Sequence, residues 1–365
     1  MTETIPWAKP VVSDRERRYL IDALDSSWIS GGPYVDRFER EFVRYHEAAH
    51  GLTASNGTTA LHMAFLALGI GPGDEVVVPG YTFVAPGNMV IACGATPVFA
   101  DIDPATWCVD PASVERCIGP RTKAIVVVHV YGNVCDMDAL SALAARHQLP
   151  IVEDVAEAAF SRYRGRPAGT FGELGCFSFQ ATKTITMGEG GFVLSRSLPL
   201  FEKMRVLRDH GMRKDKRYWH EVVGFNFRLT NLQAAIGFAQ FEQIEEVIVR
   251  RRAVIEAYRA RLDGVPGIEL QRFRPEVDPV VWAVAARLEP SAFTRDRDGV
   301  IGALAEAGIE TRPGFYPFSV LPPYESQRLP VAEEVGAQVI SVPSFPTLTV
   351  DQIDHVCDQL VSLRR

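Results

Sequence analysis

The sequence predicts an α/β protein built on a mainly parallel central sheet, with a smaller α+β unit at its C-terminal end. Two features carry that expectation. Between about residues 50 and 195, short β-branched runs recur with helix-like stretches between them, and the runs are apolar throughout rather than alternating. A strand apolar on both sides is covered on both sides, as in parallel sheets flanked by helices. Beyond them, a long helical pattern without proline, from Leu232 to about Leu262, leads into shorter mixed segments.

Taken in order, strands are expected in DEVVVPG from residue 74, TPVFADI from 96, TKAIVVVHVYG from 122, LPIVEDV from 149, GCFSF from 175 and GGFVLS from 190. Between them, Thr59 to Leu68 and Met137 to His147 have helical periodicity, the second with Asp136 or Asp138 placed to cap its start. The pattern from Leu232 links to the second unit, where VVWAVAARLEP near 280, a helix from Asp298 to Ala307 and a C-terminal helix from Val350 to about Arg364 are expected. The domains are placed at 1–245 and 246–365, and no internal repeat is visible.

Composition narrows the function classes. With 38 Lys and Arg against 45 Asp and Glu, the net charge of −7 gives no basic field for nucleic acid and no charged arm for a membrane surface. The N-terminal MTETIPWAKPVVSDRER lacks the apolar run of a signal peptide, and no stretch is apolar enough to cross a bilayer, so a cytoplasmic location is expected. Cys93, Cys108, Cys117, Cys135, Cys176 and Cys357 are scattered without close pairs. They read as ordinary reduced thiols, with neither a metal site nor a disulfide framework.

Ligands of such sheets bind beyond the carboxyl ends of the strands, and several runs end in polar or glycine-rich residues: Asp101 and Asp103, His129 to Asn133, Glu153 and Asp154, Ser178 to Lys183. Of six lysines, Lys183 stands out, because it follows an apolar strand and precedes the glycine-bearing TITMGEGG. Partial desolvation there favours the neutral amine, although a strand-end lysine can also simply snorkel to water. Glu153 and Asp154 point to opposite faces of their strand, so one of them can face a ligand. Asp154 could also merely cap the AEAAF segment that follows.

The run ASNGTTALH, 54–62, sets small residues before a helix start, which suits a phosphate and equally an ordinary N-cap. Ser178 could add a hydroxyl, or face water. An imine-forming amine, an acid and a phosphate cradle are together what pyridoxal 5′-phosphate (PLP) requires.

With these residues assembled, the chain closely resembles the sugar aminotransferases of the DegT/DnrJ/EryC1/StrS family, within fold type I of PLP enzymes. The resemblance runs through SNGTTALHMAFLALGIGPGDEVVVPGYTFVA, GATPVFADID, KAIVVVHVYG, VEDVAEA, FSFQATKTITMGEGG and GFNFRLTNLQAAIGFAQ. It implies that Lys183 holds the cofactor as an internal aldimine and shuttles protons, and that Asp154 pairs with the pyridine nitrogen. Gly57, Thr58 and Ser178 would hold the phosphate, Phe83 would lie against the ring, and Asn226 would reach the phosphate in a neighbouring subunit. A homodimer with shared active sites follows. Phe83 could instead be plain core.

Glu157 stands where many members have glutamine, within reach of the cofactor's phenolic oxygen, and resembles the perosamine synthase branch. KTITMGEGG, RYWHEVVGFNFRLTN and GIETRPGFYPFSVLPPY point the same way. That branch moves an amino group from L-glutamate to C4 of GDP-linked 4-keto-6-deoxymannose by a ping-pong cycle. Ser319 departs from it, standing near the sugar where the branch has histidine. Transfer to a 3-keto sugar, a dTDP- or UDP-linked 4-keto sugar or a cyclitol ketone is the neighbouring alternative. Lys183 argues against the dehydratases of the family, which have histidine there, and the chain has no room for the DNA-binding segment of a regulator. His210, Arg312 and Tyr316 are further candidates for sugar or nucleotide contacts, with surface or packing roles as the alternative.

Overall fold

The computed structural model describes residues 4–324 and 327–365, so Met1 to Glu3 of the N-terminal stretch read above lie outside the described residues. Seven strands form the central sheet in the order His50–Ala54, Gly191–Ser195, Leu174–Ser178, Ile151–Asp154, Thr122–Val128, Glu75–Pro79, Thr96–Ala100. The last five are parallel, and Gly191–Ser195 runs antiparallel to both its neighbours. All six strands expected from the sequence are present. The seventh, His50–Ala54, lies at the edge with its first two residues half-exposed, which is why HGLTA lacks a clear apolar signature.

Alternation along the strands splits the core. Val77, Ile125, Val127, Phe177 and Phe192 face one side, where Phe38 and Phe42 of the helix Pro33–Tyr45 fill the layer. Val76, Val78, Val126, Val152 and Val193 face the other, against Leu61 and Phe65 of the helix Gly57–Leu68. Each fully buried phenylalanine contributes roughly 1.5–3 kcal/mol of transfer free energy. The helix Met137–His147 starts on Asp136, whose carboxylate accepts the Ala139 N–H at 3.0 Å.

The pattern from 232 to 262 reads as one helix in the sequence, but the chain forms two, Asn231–Phe241 and Ile244–Leu262. At the break, the Gln243 side chain donates to Glu16 at 3.1 Å and to the Ala239 carbonyl at 2.9 Å. A tertiary contact with the N-terminal helix Asp14–Asp25 thus interrupts a sequence with no local helix breaker.

Beyond it, Ile268–Leu270, Ala285–Leu288, Val339–Ser341 and Arg312–Pro313 form a four-stranded antiparallel sheet. The helices Arg297–Glu306 and Val350–Ser362 share a third apolar cluster with it. Ile5 bridges Ile309, and the Trp7 N–H donates to Glu310, so the first described residues join this C-terminal unit. Among the described residues no helix is long and apolar enough to cross a membrane, and no group of three or more His, Cys, Asp or Glu is placed to hold a metal. The fold sets Asp154 and Ser178 at the carboxyl ends of adjacent parallel strands, with the Lys183 segment directly after the second.

Candidate active site

Lys183 lies in the irregular stretch after Leu174–Ser178, its backbone N–H on the Gln180 carbonyl at 2.8 Å. It does not snorkel. Its side chain is 14% exposed, with the amine 3.7 Å from the centre of the Trp282 ring and 4.0 Å from Glu157 Oε1. Burial lowers its pKa, and the neighbouring carboxylates Glu157 and Asp154 oppose that shift.

The two acids of the strand Ile151–Asp154 have separate tasks. Glu153, fully buried, accepts the N–H groups of Gly169 at 2.8 Å and Gly172 at 2.6 Å. It also pairs with His129 Nε2 at 3.0 Å, and because His129 Nδ1 accepts the Cys135 N–H at 3.2 Å, the ring proton sits on Nε2. All its capacity is spent inside the fold. Asp154 points the other way, toward Lys183, and among the described residues its carboxylate accepts only the Ala156 N–H, at 3.0 Å. No helix follows it, so it caps a turn rather than the helix that AEAAF could have formed. Burial raises its pKa, and the Ala156 N–H, Lys183 and His129 pull it back.

Glu157 completes the group. One carboxylate oxygen accepts the Tyr131 N–H at 2.9 Å and the other faces Lys183. Burial pushes its pKa up to about 7, against the pull of Lys183.

A cradle is built where the helix Gly57–Leu68 begins. The Asn56 side chain accepts the Thr59 N–H at 2.8 Å, leaving the amides of Gly57 and Thr58 without an acceptor among the described residues. A Cβ on Gly57 would stand 2.7 Å from Ser178 Cβ, so only glycine lets this helix end approach the Ser178 strand. SNGT is therefore an N-cap that leaves its first two helix amides open.

An aromatic wall runs beside Lys183. Trp282 stacks over Tyr131 at 13° and 6.5 Å, Tyr131 over Phe315 at 4° and 5.3 Å, and Phe83 meets Phe315 edge-on at 6.4 Å. Phe83 is 57% exposed, so it is not the core residue that its apolar segment allowed. The Trp282 indole is fixed by its N–H on the Thr182 carbonyl at 2.7 Å. Trp282 and Tyr131 were not singled out from the sequence; Tyr131 lies in the polar end of a recognised strand, but nothing local pairs Trp282 with a lysine 99 residues away.

The remaining candidates lie outside this group. Asn226 is exposed and pairs by its backbone with Asp209, next to His210, which is also exposed. Neither touches Lys183 of its own chain. Arg312 pairs with Glu310 and lies 5.8 Å from the ring of Trp7, which packs edge-on against Trp282. The Tyr316 hydroxyl accepts from Arg297 at 3.3 Å. Ser319 follows the buried Phe318, and its hydroxyl lies beside Glu333 without a well-formed hydrogen bond.

The profile of the DegT/DnrJ/EryC1/StrS aminotransferase family matches residues 10–361. The chain belongs to that family. Among its relatives, the GDP-perosamine synthase of Escherichia coli O157:H7 is 39% identical over 362 residues, covering 98% of this chain and 97% of the relative. The GDP-perosamine synthase of Caulobacter vibrioides is 43% identical over 360 residues, covering 96% of each. Among solved structures, the PLP form of Spr1654 from Streptococcus pneumoniae superposes with a TM-score of 0.94 at 26% identity, covering 99% of this chain and 98% of that one.

As a DegT/DnrJ/EryC1/StrS aminotransferase, the chain uses pyridoxal phosphate to transfer amino groups. Its own residues fit that cofactor. A buried amine whose pKa burial lowers, a buried carboxylate with a single hydrogen-bond donor among the described residues and a helix start that a single Cβ would fill meet at one end of the sheet.

Proposed function

We propose that this chain transfers the amino group of L-glutamate to C4 of GDP-4-keto-6-deoxymannose, giving GDP-perosamine, as a cytoplasmic homodimer whose subunits complete each other's sites. The observation that carries the chemistry is the buried Lys183 amine, held between the Trp282 ring and Glu157 with Asp154 close by. The choice of acceptor is supported by 39% and 43% identity, over nearly the full length, to two GDP-perosamine synthases and by Glu157 itself.

When bound, the cofactor supplies a carbon that condenses with amines and a ring that accepts the electrons left when a neighbouring carbon loses its proton. The residues of this chain do the rest. Lys183 anchors the cofactor, and once freed its amine takes the Cα proton of the donor and later returns a proton to the sugar carbon, fixing its configuration. Asp154 keeps the ring nitrogen protonated, a task for which its unspent, buried carboxylate is suited. Glu157 serves the phenolic oxygen, where a pKa of about 7 lets it hold or yield a proton.

The Gly57 and Thr58 amides and the Ser178 hydroxyl bind the phosphate, Phe83 covers the ring, and Asn226 crosses to the partner's phosphate. Donor and acceptor use the site in turn. Arg312, Tyr316 and His210 are assigned to the sugar or nucleotide.

The test is to incubate the holoenzyme with L-glutamate, assay 2-oxoglutarate, and then offer GDP-, dTDP- and UDP-linked keto sugars, with products read by mass spectrometry. GDP-perosamine is expected. Amination of only a dTDP- or UDP-linked sugar would replace the acceptor, and no 2-oxoglutarate would overturn the reading.

A further inference from the structure

A cavity opens beside Lys183, between the N-terminal segment and the helix Ile244–Leu262. Its walls include Trp7, Lys9, Lys183, Val247, Arg251 and Trp282. Arg251 is the anomaly in it. The residue is 5% exposed, yet its Nη1 donates only to backbone carbonyls, those of Val281 at 3.2 Å, Trp282 at 2.9 Å and Ser344 at 3.3 Å. Its Nε has no hydrogen-bond partner among the described residues.

No carboxylate among those residues offsets the charge: burial alone acts on the guanidinium and pushes its pKa down to about 10. Buried arginines are ordinarily paired with an acid, because an unpaired charge in a protein interior is costly. The two acids that line the same cavity are already engaged. Glu246 pairs with Arg250 at 2.6 Å, and Glu16 accepts from Ser13, Gln240 and Gln243.

Lys183 and Arg251 flank one residue. Lys183 lies on the face of the Trp282 ring, and Arg251 holds the Trp282 carbonyl. A dicarboxylic amino acid carries a second carboxylate a few bonds from its reacting carbon, and Lys183 and Arg251 line the same cavity. We infer that this cavity is the subsite for the distal carboxylate of a dicarboxylate amino donor, with Arg251 as its counter-charge and Lys9 at its mouth. Arg251 is then a determinant of donor specificity, selecting a dicarboxylate over a monocarboxylic amino acid by the guanidinium that only the former neutralises. The inference rests on the amino-transfer reading for the identity of the ligand.

Binding without turnover tests it. Glutarate, which has both carboxylates but neither amine nor ketone, is titrated calorimetrically into the holoenzyme beside butyrate, which lacks the second carboxylate. Glutarate should bind about tenfold or more tightly than butyrate, the discrimination expected of one charge-assisted contact. Val247→Glu places a carboxylate one helical turn before Arg251, where an i,i+4 pair occupies the guanidinium. It should remove that preference while near-ultraviolet dichroism and bound cofactor stay as in the parent. Arg251→Lys, which keeps the charge and loses the forked geometry, should weaken glutarate as well.

Equal affinity for the two acids in the parent, or an undiminished preference in folded Val247→Glu, overturns the inference. The parent comparison decides even if neither variant folds. A protein that prefers glutarate but never releases 2-oxoglutarate from L-glutamate refutes the amino-transfer reading alone. One that turns over L-glutamate without preferring glutarate refutes only the subsite.

Discussion

The amine of Lys183 rests 3.7 Å from the centre of the Trp282 ring, and the indole N–H is tied to the carbonyl of Thr182, the residue before the lysine. A ring face stabilises the ammonium by about 1–2 kcal/mol where water is excluded. Trp282→Leu should therefore lower the Lys183 pKa further than burial already does. Glu157 and Asp154, the charged groups facing the amine, remain. Competitive acetylation of the cofactor-free protein across pH, with Lys183 followed by mass spectrometry, reads the midpoint directly. An unmoved midpoint would leave Trp282 as packing only.

Glu157 predicts a pH dependence of stability. Its folded pKa is raised from 4.5 to about 7, so its contribution is fully present below the unfolded value and is lost as pH rises through 7. The loss is on the order of 3 kcal/mol. In Glu157→Gln that dependence disappears, so urea midpoints of the cofactor-free proteins should move in favour of the variant between pH 5 and pH 8. Parallel midpoints across that window would contradict the burial argument.

Glu153 and Asp154 should separate stability from cofactor binding. Glu153→Ala orphans the donors on His129, Gly169 and Gly172 and should cost about 3 kcal/mol or more. Asp154→Ala loses one turn hydrogen bond and a buried charge, so the cofactor-free protein should stay within about 1 kcal/mol of the parent. Its cofactor affinity should nevertheless fall. Urea denaturation and equilibrium dialysis against pyridoxal phosphate measure the two effects independently.

Gly57→Ala should loosen the cofactor without unfolding the chain. The added Cβ meets Ser178 Cβ at 2.7 Å and forces the helix start away from the strand. Loss of aligned phosphate contacts is expected to weaken binding by about tenfold or more, roughly the worth of one charge-assisted hydrogen bond. Retained affinity in dialysis would place the phosphate elsewhere.

Shared sites make a quantitative prediction. Lys183→Ala and Asn226→Asp disable the same site from different subunits if Asn226 serves the partner. On refolding an equal mixture, half the dimers are mixed and each has one intact site, so about a quarter of the parent activity should return. Two variants that stay inactive after verified exchange would assign Asn226 to its own chain.

The large sheet was legible because its six recognised strands are locally consistent, apolar on both faces and bounded by turn residues. Lys183, Asp154 and the SNGT turn were legible for a related reason, since each sits at a strand end or a helix start. The break at residues 242–243 was not, because Glu16, over 200 residues away, imposes it through Gln243.

What the sequence by itself determined is the α/β architecture, the pyridoxal phosphate cofactor and the family. The architecture follows from periodicity, the cofactor from the chemistry of residues in short motifs, and the family from a resemblance carried by many motifs in order. Tertiary structure alone decided that Asp154 rather than Glu153 remains unspent, that Phe83 stands exposed, that Trp282 lies against Lys183 and that Arg251 lines the same cavity. Burial, which sets the charge of an amine or an acid, depends on neighbours distant in the chain, and no local pattern records them.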